Sequence, residues 1–442
     1  MGQWQGLVGV AALLAIAWLA SENRRAIRPR VVLACFGLQV AIAVIILYAP
    51  LGKAALSAAS GGINTLLGYT NAGIDMVFGG LASEELGYSF FIRVLPVIIF
   101  FAALMEVLYH LRIMPFIVKW GGRGIRRVTG TRPIESLNVV ANMFVGQVEA
   151  PLSLKPYLPH VSRFELFTIM VSGLASIAGS VMAGYISLGI SAELLVAAAF
   201  MSAPGGLLMA KLIMPEPEDA RWRDGSASVA PQTVTSTRSD IVDADSALAE
   251  PEEGIAAFSD RAPPREHTNV IMAAAAGAQN GTAIAIAVAA MLIAFVSLIA
   301  LANGLLGWVG GLAGLESLSV QMIFGVVFAP IMWAIGVPWA EASAAGALFG
   351  EKVVLNEFVA YISLTQQASE LSGRTVALMT FALCGFANLS SIGILLGGLG
   401  TIIPDRKPEI ARLGLKAVFA ASLANLMSAA LAGIVLSGSF AS

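Results

Sequence analysis

ESLNVVANMFVGQVEAPLSLKPYLPH, residues 135–160, is apolar enough for a membrane but wrong for a crossing helix, because Gly146, Glu149, Pro151 and Pro156 interrupt it. Irregular backbone cannot face lipid, where its N–H and C=O groups would go unpaired; at membrane depth it must pack within protein or line a cavity. A second stretch has the same character. PWAEASAAGALFGEKVVLNEFVAYISLTQQ, residues 338–367, carries Glu341, Glu351, Lys352 and Glu357. The segments near 134–160 and 338–370 are therefore read as re-entrant helical hairpins, the first entering from inside and the second from outside.

The rest of the chain reads largely as membrane helix. Of its 442 residues 57% are hydrophobic and only 12% charged, against about 25% charged in soluble domains. So few charges cannot coat a soluble protein of this size. At roughly 20 apolar residues per crossing, the candidate spans are 4–20, 31–49, 90–111, 164–188, 192–213, 282–302, 375–403 and 413–437. The basic loops hold Arg24, Arg25, Arg28 and Arg30, then Arg112 to Arg132, then Arg406, Lys407 and Arg412; residues 50–88 hold one basic residue, Lys53, against Asp75, Glu84 and Glu85. The positive-inside rule makes the basic loops cytoplasmic and puts both termini on the periplasmic side of a bacterial inner membrane. The uncharged stretch 317–337 is read as a helix along the outer interface, since a span there would upset that parity. Residues 215–268, rich in Pro, Glu, Asp, Ser and Ala, read as a disordered cytoplasmic linker. The organisation is scaffold helices and an interfacial segment (1–111), a first repeat (112–213), the linker (214–268), a scaffold span with an interfacial helix (269–337), and the second hairpin with the last two spans (338–442).

Each half runs through a hairpin with a Glu near its tip, a span with a small-polar interruption, and a further span. Glu149 precedes ASIAGS (Ala175–Ser180), and Glu357 precedes ANLSSIG (Ala387–Gly393). With the hairpins entering from opposite sides this is an inverted repeat, which places binding sites at the repeat interface near the midplane.

An ionisable residue inside a membrane is expensive and is read first as functional, so Glu149 and Glu357 lead the candidates. The competing reading pairs each with a cation for structure. Asn142, Gln147, Asn356 and Asn388 add neutral donors and acceptors, suited to a neutral ligand bearing hydroxyls and amides, or else to helix packing. The runs Ser172–Ser180 and Asn388–Gly393 would let helices unwind and present oxygens to a hard cation such as Na+; close helix packing by small residues is the alternative. Arg93 and Glu106 read as structural. Cys35 and Cys384 sit in apolar runs as buried thiols, the three histidines form no cluster, and a net charge of −2 gives no reason to expect a nucleic-acid partner.

GQVEAP (Gly146–Pro151), GVPW (Gly336–Trp339), NEFVAY (Asn356–Tyr361) and GFANLSSIG (Gly385–Gly393), in this order and spacing, resemble the concentrative nucleoside transporter family over nearly the whole chain. The resemblance implies an all-α integral membrane protein with eight spans and two re-entrant hairpins. It also implies a homotrimer, in which a scaffold holds an elevator-type transport domain. It implies that Gln147 and Val148 face the base with Val181 nearby. Glu149 would lie on the first-hairpin side, Glu357, Asn388 and Ser391 would hold the ribose, and Phe386 would pack close to it. Gly146 would leave room for purine or pyrimidine, so uridine and adenosine are both candidate substrates. Asn142, Val145, Ser176 and Ile177 resemble the family's sodium site. Many relatives carry Thr or Ser where this chain has Val148, which leaves base preference open. Na+ is favoured over H+ because some proton-coupled relatives lack the Asn at the position of Asn142.

The rivals are an H+-coupled nucleoside transporter, a transporter of a nucleobase-like heterocycle, and an intramembrane enzyme with two carboxylates. Enzymatic activity is not expected, since neither HExxH nor GxSxG occurs in the chain.

Overall fold

The computed structural model describes residues 2–82, 89–152, 154–155, 157–217, 267–312 and 318–436. The linker reading falls mostly on 218–266, which lie outside the described residues, as do Glu84 and Glu85. Among the described residues the fold is all-helical, with no strand.

In chain order the helices are α1 (Gly2–Leu19), α2 (Pro29–Leu47), α3 (Pro50–Phe78), α4 (Leu95–His110, after a single turn Phe90–Arg93) and α5 (Ile113–Thr129). Then come α6 (Pro133–Ala141), the single turn α7 (Glu149–Leu152), α8 (Arg163–Ala175), α9 (Gly179–Ser187) and α10 (Ala192–Ile213). The remainder are α11 (Val270–Leu312), α12 (Val320–Ala334), α13 (Trp339–Val354), α14 (Glu357–Gln367), α15 (Gly373–Leu383), α16 (Ser390–Ile402) and α17 (Lys407–Val435). Among the described residues six helices or joined helix pairs are long and apolar enough to cross a membrane, and α1, α15 and α16 are shorter apolar helices.

Sequence sets where these helices begin. Ser162 and Glu165 form a reciprocal capping box at α8, with Glu165 N donating to Ser162 Oγ at 3.2 Å and Ser162 N to Glu165 Oε2 at 2.7 Å. Pro29, Pro50 and Pro133 occupy first helical positions, where a missing N–H costs nothing.

The helices sort into an enclosed centre and an outer set. In the apolar windows of α8–α9 and of α10, 89% of residues are buried, whereas only 11% are in α11. α17 packs against α8, α10 and α15, so the centre is assembled from both halves of the chain. α11 leans on α4 through Gly277 and Gly281: a Cβ added at Gly281 would lie 2.7 Å from Ile99 Cα. Two small residues four apart thus let the backbones touch. α12 ends at Gly336, whose φ of 111° suits glycine, and α13 turns back from α12 by 118°.

Two segments are more ordered than the sequence reading supposed. Residues 50–78, read as part of the outer-side loop 50–88, form a 29-residue helix that buries a stripe of Gly52, Leu56, Ser60, Thr70 and Ile74. The basic loop after α4 is largely the amphipathic α5, whose Gly121 and Gly122 press on Val140 and Leu137 of α6. The span expected at 282–302 is the centre of a helix of 43 residues. The stretch 317–337 contains α12, and the spans at 164–188 and 375–403 are each interrupted, as α8/α9 and α15/α16.

Candidate functional site

α8 ends because Ser176 takes an extended conformation (φ −105°, ψ 173°), and α9 resumes at Gly179. α15 ends at Cys384, followed by Gly385 at φ 156°. The two breaks meet. Phe386 N donates to Ser176 O at 3.2 Å. Asn425 of α17 donates from one amide nitrogen to Ala175 O and to Cys384 O, both at 2.7 Å, and its Oδ1 accepts from Lys352 Nζ at 2.7 Å. Lys352, fully buried on α13, also donates to Ala382 O at 2.9 Å. One side chain thus satisfies the terminal carbonyls of two interrupted helices, groups that would otherwise be orphaned. Gly385 permits the crossing: a Cβ there would fall 2.6 Å from Asn425 Oδ1 and 2.7 Å from Ala175 O.

On one side of this crossing lies a polar cluster around one carboxylate, Glu357. Asn356 caps α14 by accepting from Val359 N at 2.9 Å, so its side-chain oxygen is engaged in a helix start. That start presents Glu357, whose Oε1 accepts from Tyr185 Oη and whose Oε2 accepts from Asn388 Nδ2, both at 2.9 Å. Asn388 Oδ1 in turn accepts from Ser390 Oγ at 2.7 Å and from Ser391 N at 2.8 Å. Ser391 Oγ is buried and unpartnered. Tyr185 is held by a ring stack, with centroids 4.8 Å from Phe358 and 4.6 Å from Tyr361. Val181 lies buried one turn before Tyr185 on α9, and Phe386 is partly exposed.

On the other side lies the tip between α6 and α7. Phe144 O accepts from Gly179 N at 2.9 Å, joining the tip to the first break. Gly173 lets the tip approach: a Cβ there would sit 2.9 Å from Gln147 Cβ and 3.7 Å from Asn142 Oδ1. Asn142 Oδ1 and Gln147 Oε1 are buried without partners, while Asn142 Nδ2 donates to Ser172 Oγ at 3.5 Å. Ser176 Oγ donates to Ser172 O at 3.0 Å, and Ile177 is buried beside it. Val145 N donates to Ala141 O at 3.0 Å. Glu149 is exposed, and its Oε2 accepts from Gly146 N at 2.5 Å. Val148 lies against α16, where a Cβ on Gly398 would meet its Cγ1 at 2.6 Å.

The structure therefore brings Asn142, Gln147 and Ser176 together at the first break, and Glu357, Asn388 and Ser391 at the second. It gives Glu149 a local backbone partner and Val148 a helix contact. Among the described residues no group of three or more His, Cys, Asp or Glu side chains is arranged to hold a metal; the oxygens near Asn142 come from amides, hydroxyls and main chain. The sequence reading missed Tyr185 and Asn425 and did not give Lys352 a role. The third has a signal, a cation in a stretch read as lying at membrane depth; Tyr185 and Asn425 have none that a single sequence displays. Of the residues read as structural, Arg93 donates to Ala82 O at 2.5 Å and Glu106 lies 3.6 Å from His267.

Comparison with known proteins decides the family. Residues 194–433 match the model for the Na+ dependent nucleoside transporter C-terminus, 8–81 that for the N-terminus, and 91–192 a nucleoside recognition (gate) model. This chain belongs to the Na+ dependent nucleoside transporter family. Within that family it is 42% identical to nucleoside permease NupC of Helicobacter pylori, over 97% of each chain. It is 33% identical to mouse sodium/nucleoside cotransporter 1, over 98% of this chain and 64% of the relative. The solved structure of CNTnw in an inward-facing substrate-bound state superposes with a TM-score of 0.87 at 45% identity, each chain fully covered. As a family member the chain is a multi-pass membrane transporter and not an enzyme.

Proposed function

We propose that this chain imports nucleosides by symport with Na+. The observation that carries the reading is a set of buried, unpartnered oxygens (Asn142 Oδ1, Gln147 Oε1 and Ser391 Oγ) around the crossing of two broken helices. A buried polar atom without a partner costs about 1–3 kcal/mol, so such atoms favour whatever ligand supplies the missing bond.

In this reading Asn142 and Ser176, with main-chain oxygen from Val145 and Ile177, take the ion. Glu357, Asn388 and Ser391 take the ribose hydroxyls, because a carboxylate is a strong charge-assisted acceptor. Gln147, beside Gly146 and Val148, takes the base, with Val181 and Phe386 as apolar walls and Glu149 bordering the sugar from the first tip. The ion site and the base site share the short tip 142–149. Ion binding that orders this tip favours the conformation that binds nucleoside, and coupling needs no direct contact between the ligands. We assign the chain eight spans and two re-entrant hairpins. The assembly is a homotrimer in the bacterial inner membrane, with both termini periplasmic and an elevator-type transport domain.

The test is uptake of radiolabelled uridine and adenosine into proteoliposomes under an inward Na+ gradient or, separately, an H+ gradient. Na+-driven uptake is expected. Uptake driven only by H+ would overturn the ion assignment and keep the substrate. No uptake of either, with inhibition by free bases of some other flux, would overturn the nucleoside.

A further inference from the structure

We infer that an arginine-lined cavity at the start of α2 binds the phosphate of an anionic phospholipid headgroup. The cavity measures about 860 Å³ and lies between the α1–α2 connection and the end of α5. Arg25, Arg28, Arg30 and Arg127 line it, and among the described residues no acidic one does. Four guanidinium groups around one recess make it electropositive, and the planar fork of arginine matches a phosphate's oxygens.

Arg28 gives the site its centre. Its Nε and Nη2 are buried and have no hydrogen-bond partner. A buried charged donor left unpaired is costlier than a neutral one. The nearby acids among the described residues are committed elsewhere. Glu22 takes Lys416 at 2.6 Å and Arg163 at 3.3 Å, Glu135 pairs with Lys211, and Glu216 pairs with Arg132, which also lies 3.3 Å from Glu165. Arg24 is occupied as well, lying 4.4 Å over the Trp18 ring. Arg28, which lines this cavity and the small recess beside it, thus carries N–H groups that no described residue satisfies.

The surroundings favour lipid over a soluble anion. The cavity lies at the end of α5, an amphipathic helix that leaves Phe116 and Trp120 exposed. Aromatic side chains of that kind mark the level of lipid headgroups. Basic recesses between helices at that level are suited to anionic headgroups. The site is separate from the helix crossing, and the inference does not depend on the nucleoside reading.

The experiment uses the purified full chain in detergent, with Tm followed by intrinsic fluorescence. Phosphatidylglycerol, phosphatidylcholine and inorganic phosphate are added separately to wild type, Arg28→Gln, Arg28→Lys and Arg163→Gln. Phosphatidylglycerol is expected to raise the wild-type Tm by several degrees, as a ligand that binds only the folded state does. Arg28→Gln should lose most of that shift, Arg28→Lys should keep part of it, and Arg163→Gln, outside the cavity, should keep it all. Phospholipid co-purified per protein, read by native mass spectrometry, should fall in both Arg28 variants. Uptake by Arg28→Gln in phosphatidylcholine vesicles should match wild type. A shift of equal size in Arg28→Gln, or no shift in wild type, would overturn the site. A full shift from inorganic phosphate alone would overturn the lipid as its source.

Discussion

Replacing Tyr185 by Phe removes one hydrogen bond and little else. The ring keeps its place against Phe358 and Tyr361, and the side-chain partner lost is Glu357 Oε1, to which Tyr185 Oη donates at 2.9 Å. A hydrogen bond to a charged group contributes about 1.5–3 kcal/mol. If Tyr185 holds Glu357 in its binding orientation, the freed carboxylate finds other partners in the empty protein. Nucleoside binding must then reverse that rearrangement. The upper bound is the whole bond, a rise in apparent KM of about 10- to 150-fold at 1.4 kcal/mol per tenfold. The assay is the nucleoside concentration dependence of Na+-driven uptake in proteoliposomes, beside Tm in detergent. Because packing is retained, Tm should fall by only a few degrees. A variant with wild-type KM and wild-type Tm would refute the claim that Tyr185 positions Glu357. Unchanged KM with a lowered Tm would make the bond purely structural.

Glu357→Gln keeps the shape but replaces a charge-assisted acceptor, roughly twice as strong as a neutral one; nucleoside KM should rise at least about tenfold, as uptake titrations would report. Asn142→Ala removes the unpartnered oxygen at the first break. The Na+ concentration for half-maximal uptake should rise about 5- to 150-fold, while nucleoside KM at saturating Na+ stays near wild type. Asn425→Leu orphans Ala175 O and Cys384 O and takes one of two acceptors from Lys352. At about 1–3 kcal/mol for each orphan, Tm should fall by roughly 2–6 °C, measured by thermal unfolding in detergent.

Those partners show where a single sequence stops being informative. The broken helices were legible because Ser176, Gly179, Gly385 and Asn388 sit inside otherwise apolar runs, and such residues have a local cause. Glu357 and Asn388 were legible for the same reason, since polarity in a membrane helix stands out. Asn425 was not. It lies in a run of Ala, Leu and Ser, and its meaning depends on carbonyls that reach it from two other helices. Tyr185 is similar: its partner lies 172 residues away in the chain. α5 was hidden for a different reason. Its arginines were read for the side of the membrane they mark, while its apolar positions at Ile113, Phe116, Ile117 and Trp120 already carried helical spacing. α3 was obscured by small residues, whose burial gives weak periodicity.

The helix crossing also bears on how selectivity can diverge. It is built from main-chain carbonyls, one glycine, one asparagine and one lysine, so each part has several simultaneous obligations and almost no acceptable replacement. The tip residues Gly146, Val148 and Glu149 carry fewer obligations of that kind. On the proposed reading of the tip, a library aimed at new nucleoside analogues would find more viable diversity there than at Gly385 or Asn425, where a variant carries a stability cost.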